Sequence, residues 1–594
     1  MFNHVFSIGE YPTQWSEGLI NALHKKGDVS IPDNYRKITI NVVMAKIFDS
    51  ILNSRLYLKN EIYAKNDPFQ FGFTPQRRSS DCVFILDTLI QHQQARKKPL
   101  FLCFVDFTKA FDYVNRAALY FKLKKQNIGN KMLKIIMSMF EKAKARVLQN
   151  GETRESIDST VGVLQGGILS PKLFNEFLTD LPKYLNKYDG LGIGDTIFTH
   201  LLYADDIVLI SESHAGLQNL LNSLSHFCSL WHLIVNTTKT KVLIHGSKHD
   251  PTLKFNGQTI ENVSSYKYLG HVISNKKNMH CKMSDYLSTQ AQKALFALHG
   301  DTKASLGYIP PKVALRMFDS YILPILEYNC ELWSCSGPTS QIESVHLKYL
   351  KNVLGVRPQT STLAVYGETG RYPLYVRQNL SCIKYLVRLE KLDKTDILHK
   401  CLRIQKQLQG NSWYKKVCDI VSGYEITINE NMTYNQIVTH CKLKIYKAEQ
   451  DKIMLGINNV ALNPKLRTYK DFKTDFRLEP YLTLNMNKKV YSKVARFRCS
   501  SHSLRIETGR HERPVIPSEL RICEKCTSGE VEDELHCLIN CSSHEKQREI
   551  LYKIMCNIVP NFSTFNAKNK FITILRSKNP DALKALGAYL NNVI

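Results

Sequence analysis

Two periods of hydrophobicity share the first 275 residues. The run LLYADDIVLIS (201–211) is apolar and rich in β-branched residues, and it predicts a buried strand. FLCFVDF (101–107), KVLIHG (241–246) and SYKYLGHVIS (265–274) predict further short strands. Among them, Leu217, Leu220, Leu221, Leu224, Phe227, Cys228 and Trp231 recur at helical spacing, so that stretch lays one face on a core. Beyond this region the pattern turns helical. SDYLSTQAQKALFALHG aligns Leu287, Ala291, Ala294, Leu295 and Leu298, with Ser284 expected as N-cap and Gly300 past the end. KVALRMFDSYILP predicts a second helix, stopped by Pro324. Residues 340–500 read as mostly helical and basic, and a helical tail closes the chain. The fold class expected is α+β followed by a mainly helical region.

Within the predicted strand 201–211, alternation sends Asp205 and Asp206 to opposite faces. A buried, unpaired carboxylate costs several kcal/mol or changes its protonation, so two in one strand call for a counter-charge. Asp106, at the end of the apolar run FLCFVD, is a third in the same setting. Strand-borne aspartates on neighbouring strands can share divalent cations. Mg²⁺ prefers such hard oxygens, and two ions about 3.5–4 Å apart clamp the attacking and leaving oxygens of a phosphoryl transfer.

Composition narrows the partners. The 594 residues carry 80 Lys and Arg against 53 Asp and Glu, a formal charge of +27 spread along the chain. Such a field attracts polyanions, nucleic acid first among them. A 43% apolar content is ample for large cores, roughly four domains by length. No apolar run reaches membrane-spanning length without a charge, and the N-terminus lacks a signal-peptide pattern. The expected compartment is therefore nucleus or cytoplasm, not the secretory route. Most of the 16 cysteines are scattered, as reduced thiols. The exception is RICEKCTSGEVEDELHCLINC, where Cys523, Cys526, His536 and Cys541 match a tetrahedral Zn²⁺ set that leaves no open position, hence a structural site. Cys537 competes as a ligand, and the flanking Arg505, Arg510, Arg513 and Arg521 are candidate phosphate contacts.

Seven blocks in order, YRKITI, QFGFTPQRRSSD, FVDFTKAFD, GVLQGGILSP, YADD, VNTTKTKV and YLGHVIS, resemble the reverse transcriptase domain of non-LTR (LINE-type) retrotransposons over roughly residues 10–275. The resemblance implies a right-hand polymerase: fingers and palm over 1–275, a helical thumb over 276–400, a basic, mainly helical connector over 401–515, a zinc-binding segment over 516–545 and a helical tail over 546–594. It implies that Asp106 and Asp205 ligate two Mg²⁺ ions with the Phe107 carbonyl, and that Asp206 supports them. Lys25 or Lys26 and Arg36 resemble the cations that clamp the incoming triphosphate, and Phe111 occupies the position whose ring excludes a 2′-OH. Gln165 and Gly166, in the loop GVLQGGILSP, would meet a base or sugar edge. In many relatives the next position is acidic or polar, whereas this chain has Gly167. Lys239, with Lys241 as its rival, resembles the general acid for pyrophosphate, and Tyr268, Leu269 and Gly270 resemble the primer grip. The partners implied are an RNA template, a DNA primer or target and dNTPs. Two other readings share features with this one: a group II intron-like maturase, and a catalytically silent, domesticated nucleic-acid-binding remnant. The endonuclease common upstream in relatives is not visible in this sequence.

Overall fold

The computed structural model describes residues 1–25, 27–62, 67–149, 152–247, 251–306, 309–337, 339–410, 412–429 and 431–594. Lys26 lies outside them. The chain forms two compact units, Met1–Met279 with Leu392–Ser412, and His280–Lys391 with Trp413–Ile594.

The first unit is built on a six-stranded sheet in the order Leu253–Phe255, Gln258–Asn262, Lys241–His245, Leu100–Val105, Asp206–Ser211 and His200–Tyr203. Leu100–Val105 is buried at every position, as an interior strand with both faces covered must be. On one side Phe101, Cys103 and Val105 share a core with Leu217, Leu220, Leu224 and Phe227 of helix His214–Trp231. That helix begins at Ser213, whose side chain accepts from the Gly216 N–H. On the other side Phe104 stacks on Tyr266, rings 4.4 Å apart. A second sheet pairs Glu17–His24 with Tyr35–Ile40 in antiparallel fashion and with Lys144–Gln149 in parallel.

One element of the first unit arrives from far along the chain. Helix Ile397–Gln407 packs on helix Ser79–Ala95. Arg77 makes a two-pronged ion pair with Asp396 (3.0 and 2.9 Å), Lys400 reaches Asp195 (3.1 Å) and Gln405 donates to Thr88 Oγ1 (3.2 Å). The boundary expected at 400/401 therefore runs through a helix that belongs with the residues before 280.

Several local expectations are corrected. LLYADDIVLIS is a hairpin and not one strand: Tyr203 pairs with Asp206, and Ala204 and Asp205 form the turn, with Ala204 at φ 56°. SYKYLGHVIS is likewise a hairpin, turning at Leu269 (φ 47°) and Gly270 (φ 79°). Helix Met283–Leu306 takes in both Ser284 and Gly300, because one glycine costs only about 1 kcal/mol in a long helix. Pro324 does not end the second helix either. Pro311–Met317 passes through one wide turn, Phe318–Ile322, into Leu323–Leu326, and Pro324 sits in that segment's first turn, where no backbone donor is needed.

The second unit is helical and holds a buried ionic centre. Glu368 accepts from Arg498 Nε (2.9 Å), Tyr469 (3.0 Å) and Tyr481 (2.7 Å), and Arg498 also pairs with Glu479 (2.8 Å). Every one of these groups is buried, so each charge relies on its partners.

Candidate active site and metal centre

Strand Leu100–Val105 and strand Asp206–Ser211 pair with Val105 opposite Ile207. One residue further along that register stand Asp106 and Asp206, and the turn preceding Asp206 adds Asp205. Burial, with Asp106 contributing, lifts the Asp205 carboxyl above the usual carboxylate range, and Arg36 is the cation that opposes it. Burial, then Asp205, then Asp106, push Asp206 up to about 7. Asp106 Oδ2 is buried and accepts no hydrogen bond among the described residues; Lys239 Nζ stands 3.5 Å away, on a side chain 65% exposed. Mutually repelling carboxylates and a buried oxygen that lacks a hydrogen bond are what an oxygen-ligated divalent cation would relieve, so these residues fit one.

The backbone around Asp106 is pinned by the loop after helix His214–Trp231. Asn236 N–H donates to Asp106 O (2.8 Å) and Thr108 N–H to Ile234 O (2.8 Å). Phe107 faces Val235 between these two bonds, so its own carbonyl turns away from that partner. The same loop holds Lys239 against Asp106, whereas Lys241 pairs with Glu261 (2.5 Å).

The loop 162–167 closes another side. Gly162, at φ 76°, lies where a Cβ would strike Phe111 O and Asp112 O, and Val163 N–H donates to Phe111 O (2.9 Å). Gln165 donates from Nε2 to Asp112 (3.1 Å) and accepts on its carbonyl from Thr39 N–H (2.7 Å). Gly166, at φ 106°, would place a Cβ 2.4 Å from Thr39 O. This loop thus joins the chain after Asp106 to the strand that carries Arg36, which is exposed and sits opposite Leu23. The Phe111 ring is half-buried and stacks on Phe174 at 4.7 Å and 18°. Lys25 is exposed at the hairpin's end, its N–H donating to Asn34 O (2.8 Å). Tyr268 is buried against Phe104, 5.4 Å between rings, so of the expected primer-gripping residues the turn pair Leu269 and Gly270 is the less enclosed.

Four supporting residues escape a motif reading. Gln70 Oε1 accepts from Gly72 N–H (2.9 Å) and Ala204 N–H (3.3 Å), clasping the QFGF loop to the YADD turn. Asn175 donates to Gly72 O (2.7 Å). Arg116 donates to Gly162 O (2.9 Å), Phe140 O (3.0 Å) and Val161 O (3.2 Å), organising the loop that leads to Gln165. Gly72 alone had a signal: a glycine between two aromatics marks a close backbone approach.

In the second unit Cys523, Cys526, His536 and Cys541 bring their ligand atoms within 4.8 Å of one another, a set suited to a tetrahedral metal ion. His536 Nδ1 meets Glu530 (2.6 Å), which leaves Nε2 toward Cys526. Hydrogen bonds from Ser528 hold the Cys526 thiol down at about 6. Cys537 falls outside the set: burial pushes its thiol up to about 12, and its carbonyl accepts from Tyr589 (2.6 Å). The segment is not free-standing. Glu534, between the ligands, is buried and accepts from Arg467 (2.8 Å) and His502 (2.9 Å). Nor are all its arginines open to phosphate. Arg521 is buried and donates to Ile516 O and Ile506 O, Arg505 pairs with Glu524, and Arg510 with Glu507 (3.4 Å).

A strand-end aspartate thus stands beside a hairpin-turn aspartate pair, in an antiparallel sheet backed by helices, a set of hard oxygens suited to divalent cations. Residues 23–273 match the family described as reverse transcriptase (RNA-dependent DNA polymerase), and that segment is a reverse transcriptase domain. The RNA-directed DNA polymerase from mobile element jockey of Drosophila melanogaster is 22% identical over 369 residues, 60% of this chain and 39% of the relative. The Pol polyprotein from type-2 retrotransposable element R2DM of the same species is 26% identical over 314 residues, 51% of this chain and 28% of the relative. The chain thus spans well under half the length of these relatives. Among solved structures, telomerase from Candida tropicalis with a telomeric RNA fragment aligns with 68% of this chain and 65% of its own at 15% identity and a TM-score of 0.34, too distant to carry an argument. No helix among the described residues is long and apolar enough to cross a membrane.

Proposed function

We propose that this protein is an RNA-directed DNA polymerase, as the jockey relative is named, and that it extends a DNA primer on an RNA template with dNTPs. The observation that carries the reading is the convergence of Asp106, Asp205 and Asp206, with two carboxyls raised and one buried oxygen that accepts no hydrogen bond among the described residues. Asp106 and Asp205 would hold the Mg²⁺ ions with the Phe107 carbonyl, and Asp206 would support them; bound there, the metal lowers the pKa of the primer 3′-OH and neutralises the triphosphate. Arg36 binds the triphosphate, its guanidinium already in the field of Asp205. Lys25 contributes from the hairpin's end. Lys239, an exposed ammonium beside Asp106, can give a proton to the departing pyrophosphate; Lys241, engaged with Glu261, is the poorer candidate. Phe111, fixed flat on Phe174, presents an edge that crowds a ribose 2′-OH. Gln165 and Gly166 align the base or sugar, and Leu269 and Gly270, above the buried Tyr268, hold the primer end. Zn²⁺ at Cys523, Cys526, His536 and Cys541 would be structural.

The test is primer extension on an RNA template with Mg²⁺ and dNTPs. Asp205→Asn should abolish extension and leave nucleic-acid binding nearly intact, because phosphate contacts elsewhere persist. Extension within about tenfold of the parent would refute the assignment.

A further inference from the structure

The arginines beside the zinc ligands are largely engaged, and the uncompensated charge of the second unit lies elsewhere. Helix Ser340–Leu354 ends at Gly355, whose φ of 68° starts a loop through Thr360. Cations from three chain segments gather on that loop. Lys351 Nζ donates to Pro358 O (2.5 Å), Arg496 Nε to Gly355 O (2.6 Å) and Lys465 Nζ to Gln359 O (3.5 Å). Arg357 stands in the loop itself with its side chain exposed. None of the four has a carboxylate partner among the described residues. Burial, and then the charge of Lys465, hold the Lys351 ammonium below its ordinary pKa.

Helix capping accounts for only part of this. A helix C-terminus carries about half a negative charge, enough to favour one cation and not four. The platform is rigid as well. A Cβ on Gly355 would stand 2.3 Å from Ser492 Oγ, Arg357 N–H donates to Ser501 Oγ (3.0 Å), and Thr360 shares that hydroxyl (2.9 Å). Like charges kept close on a fixed surface are stabilised by a polyanion. Because they come from separate segments and are half-buried to exposed, they suit a polymer with a phosphate at every step better than one small anion.

We propose that the loop Gly355–Thr360, with Lys351, Arg357, Lys465 and Arg496, is a sequence-independent grip for a nucleic-acid backbone, acting apart from the catalytic carboxylates. The proposal rests on the polymerase reading only for which nucleic acid reaches it. Its contacts are to phosphate, so they position a strand and do not read it.

The experiment uses the full chain and two double variants of equal charge loss. One is Lys351→Gln with Lys465→Gln. The other is Lys442→Gln with Lys444→Gln, on exposed positions of helix Tyr434–Asn458. Kd for labelled single-stranded RNA is measured between about 50 and 200 mM salt, alongside extension on a saturating template. The loop variant should lower the slope of log Kd against log salt by about 1.4, two phosphates at about 0.7 each, while the helix variant stays near the parent. Extension at saturation should be unchanged. Arg357→Gln, whose backbone carries the structural bond, should lower the slope by about 0.7 and guards against a misfolded double variant. An unaltered slope in both loop variants, an equal loss in the helix variant, or competition by polyglutamate as effective as by RNA would overturn the proposal. A parent that binds RNA but extends nothing would refute the polymerase reading and leave this comparison decisive.

Discussion

Replacing Gly72 by alanine tests whether the turn proposed as catalytic is held by contact and not by sequence alone. A Cβ at Gly72 would lie 2.2 Å from Ala204 N and 2.7 Å from Tyr203 C, both backbone atoms of the YADD hairpin. Ordinary contact begins at 3.4 Å, so the turn must withdraw by about 1.2 Å. The loop bearing Gly72 cannot yield instead. Gln70 holds its N–H, Asn175 holds its carbonyl, and Phe71 N–H donates to Leu202 O (2.8 Å). The displaced residue next to Ala204 is Asp205. A misplacement of about 1 Å at reacting groups costs about 10²-fold in rate, whereas overpacking by one methyl costs about 1–3 kcal/mol of stability. We therefore expect Gly72→Ala to melt a few degrees below the parent and to lose about 10²-fold in single-nucleotide incorporation measured by rapid quench with enzyme in excess. Gly192→Ala is the control, since a Cβ there meets nothing within 4 Å. A Gly72→Ala rate within about threefold of the parent would show that the hairpin tolerates the shift, and the argument from close approach would fall.

Phe111→Ala should raise rNTP incorporation relative to dNTP in single-nucleotide extension; an unchanged ratio would leave the ring as a packing partner of Phe174 alone. Cys523→Ser with Cys526→Ser should release one zinc per chain by mass spectrometry and depress melting of the second unit as a whole, since Glu534 ties the segment to Arg467 and His502; chemistry on a saturating template should persist. A parent purified free of zinc would refute it. Asp49 is 3% exposed, accepts from the Tyr11 hydroxyl (3.1 Å) and is raised to about 6 by burial. Its folded pKa exceeds the unfolded one, so the stability it contributes is complete below about pH 4 and is lost as pH rises through about 6. Asp49→Asn should match the parent's melting temperature at about pH 4 and exceed it at about pH 8; equal curves at both would refute the shift.

What could be read in advance follows physical range. The strands and the helix His214–Trp231 announce themselves through local periodicity, and the pairing of Asp106 with the YADD strand follows from two apolar runs ending in carboxylates. The turn at Ala204 and Asp205 was illegible because apolar residues flank it on both sides without a break, and alanine rarely takes the left-handed backbone that Ala204 adopts here, with its N–H held by Gln70. Gly300 and Pro324 misled because tertiary packing overrides weak local preferences. Arg521 looks like a phosphate contact in sequence, and only the fold reveals three donors spent on backbone carbonyls.

Helix Ile397–Gln407 bears on how such a protein can be inherited. Because this helix covers helix Ser79–Ala95, the first unit is discontinuous in the gene. Excision after Met279 would leave Arg77 without its carboxylate and Thr88 without Gln405. A single recombination crossover at that point would hand the recipient a first unit stripped of part of its own covering. Exchange between related genes should therefore preserve residues 1–412 as one block, even though more than a hundred of those residues fold with the other unit.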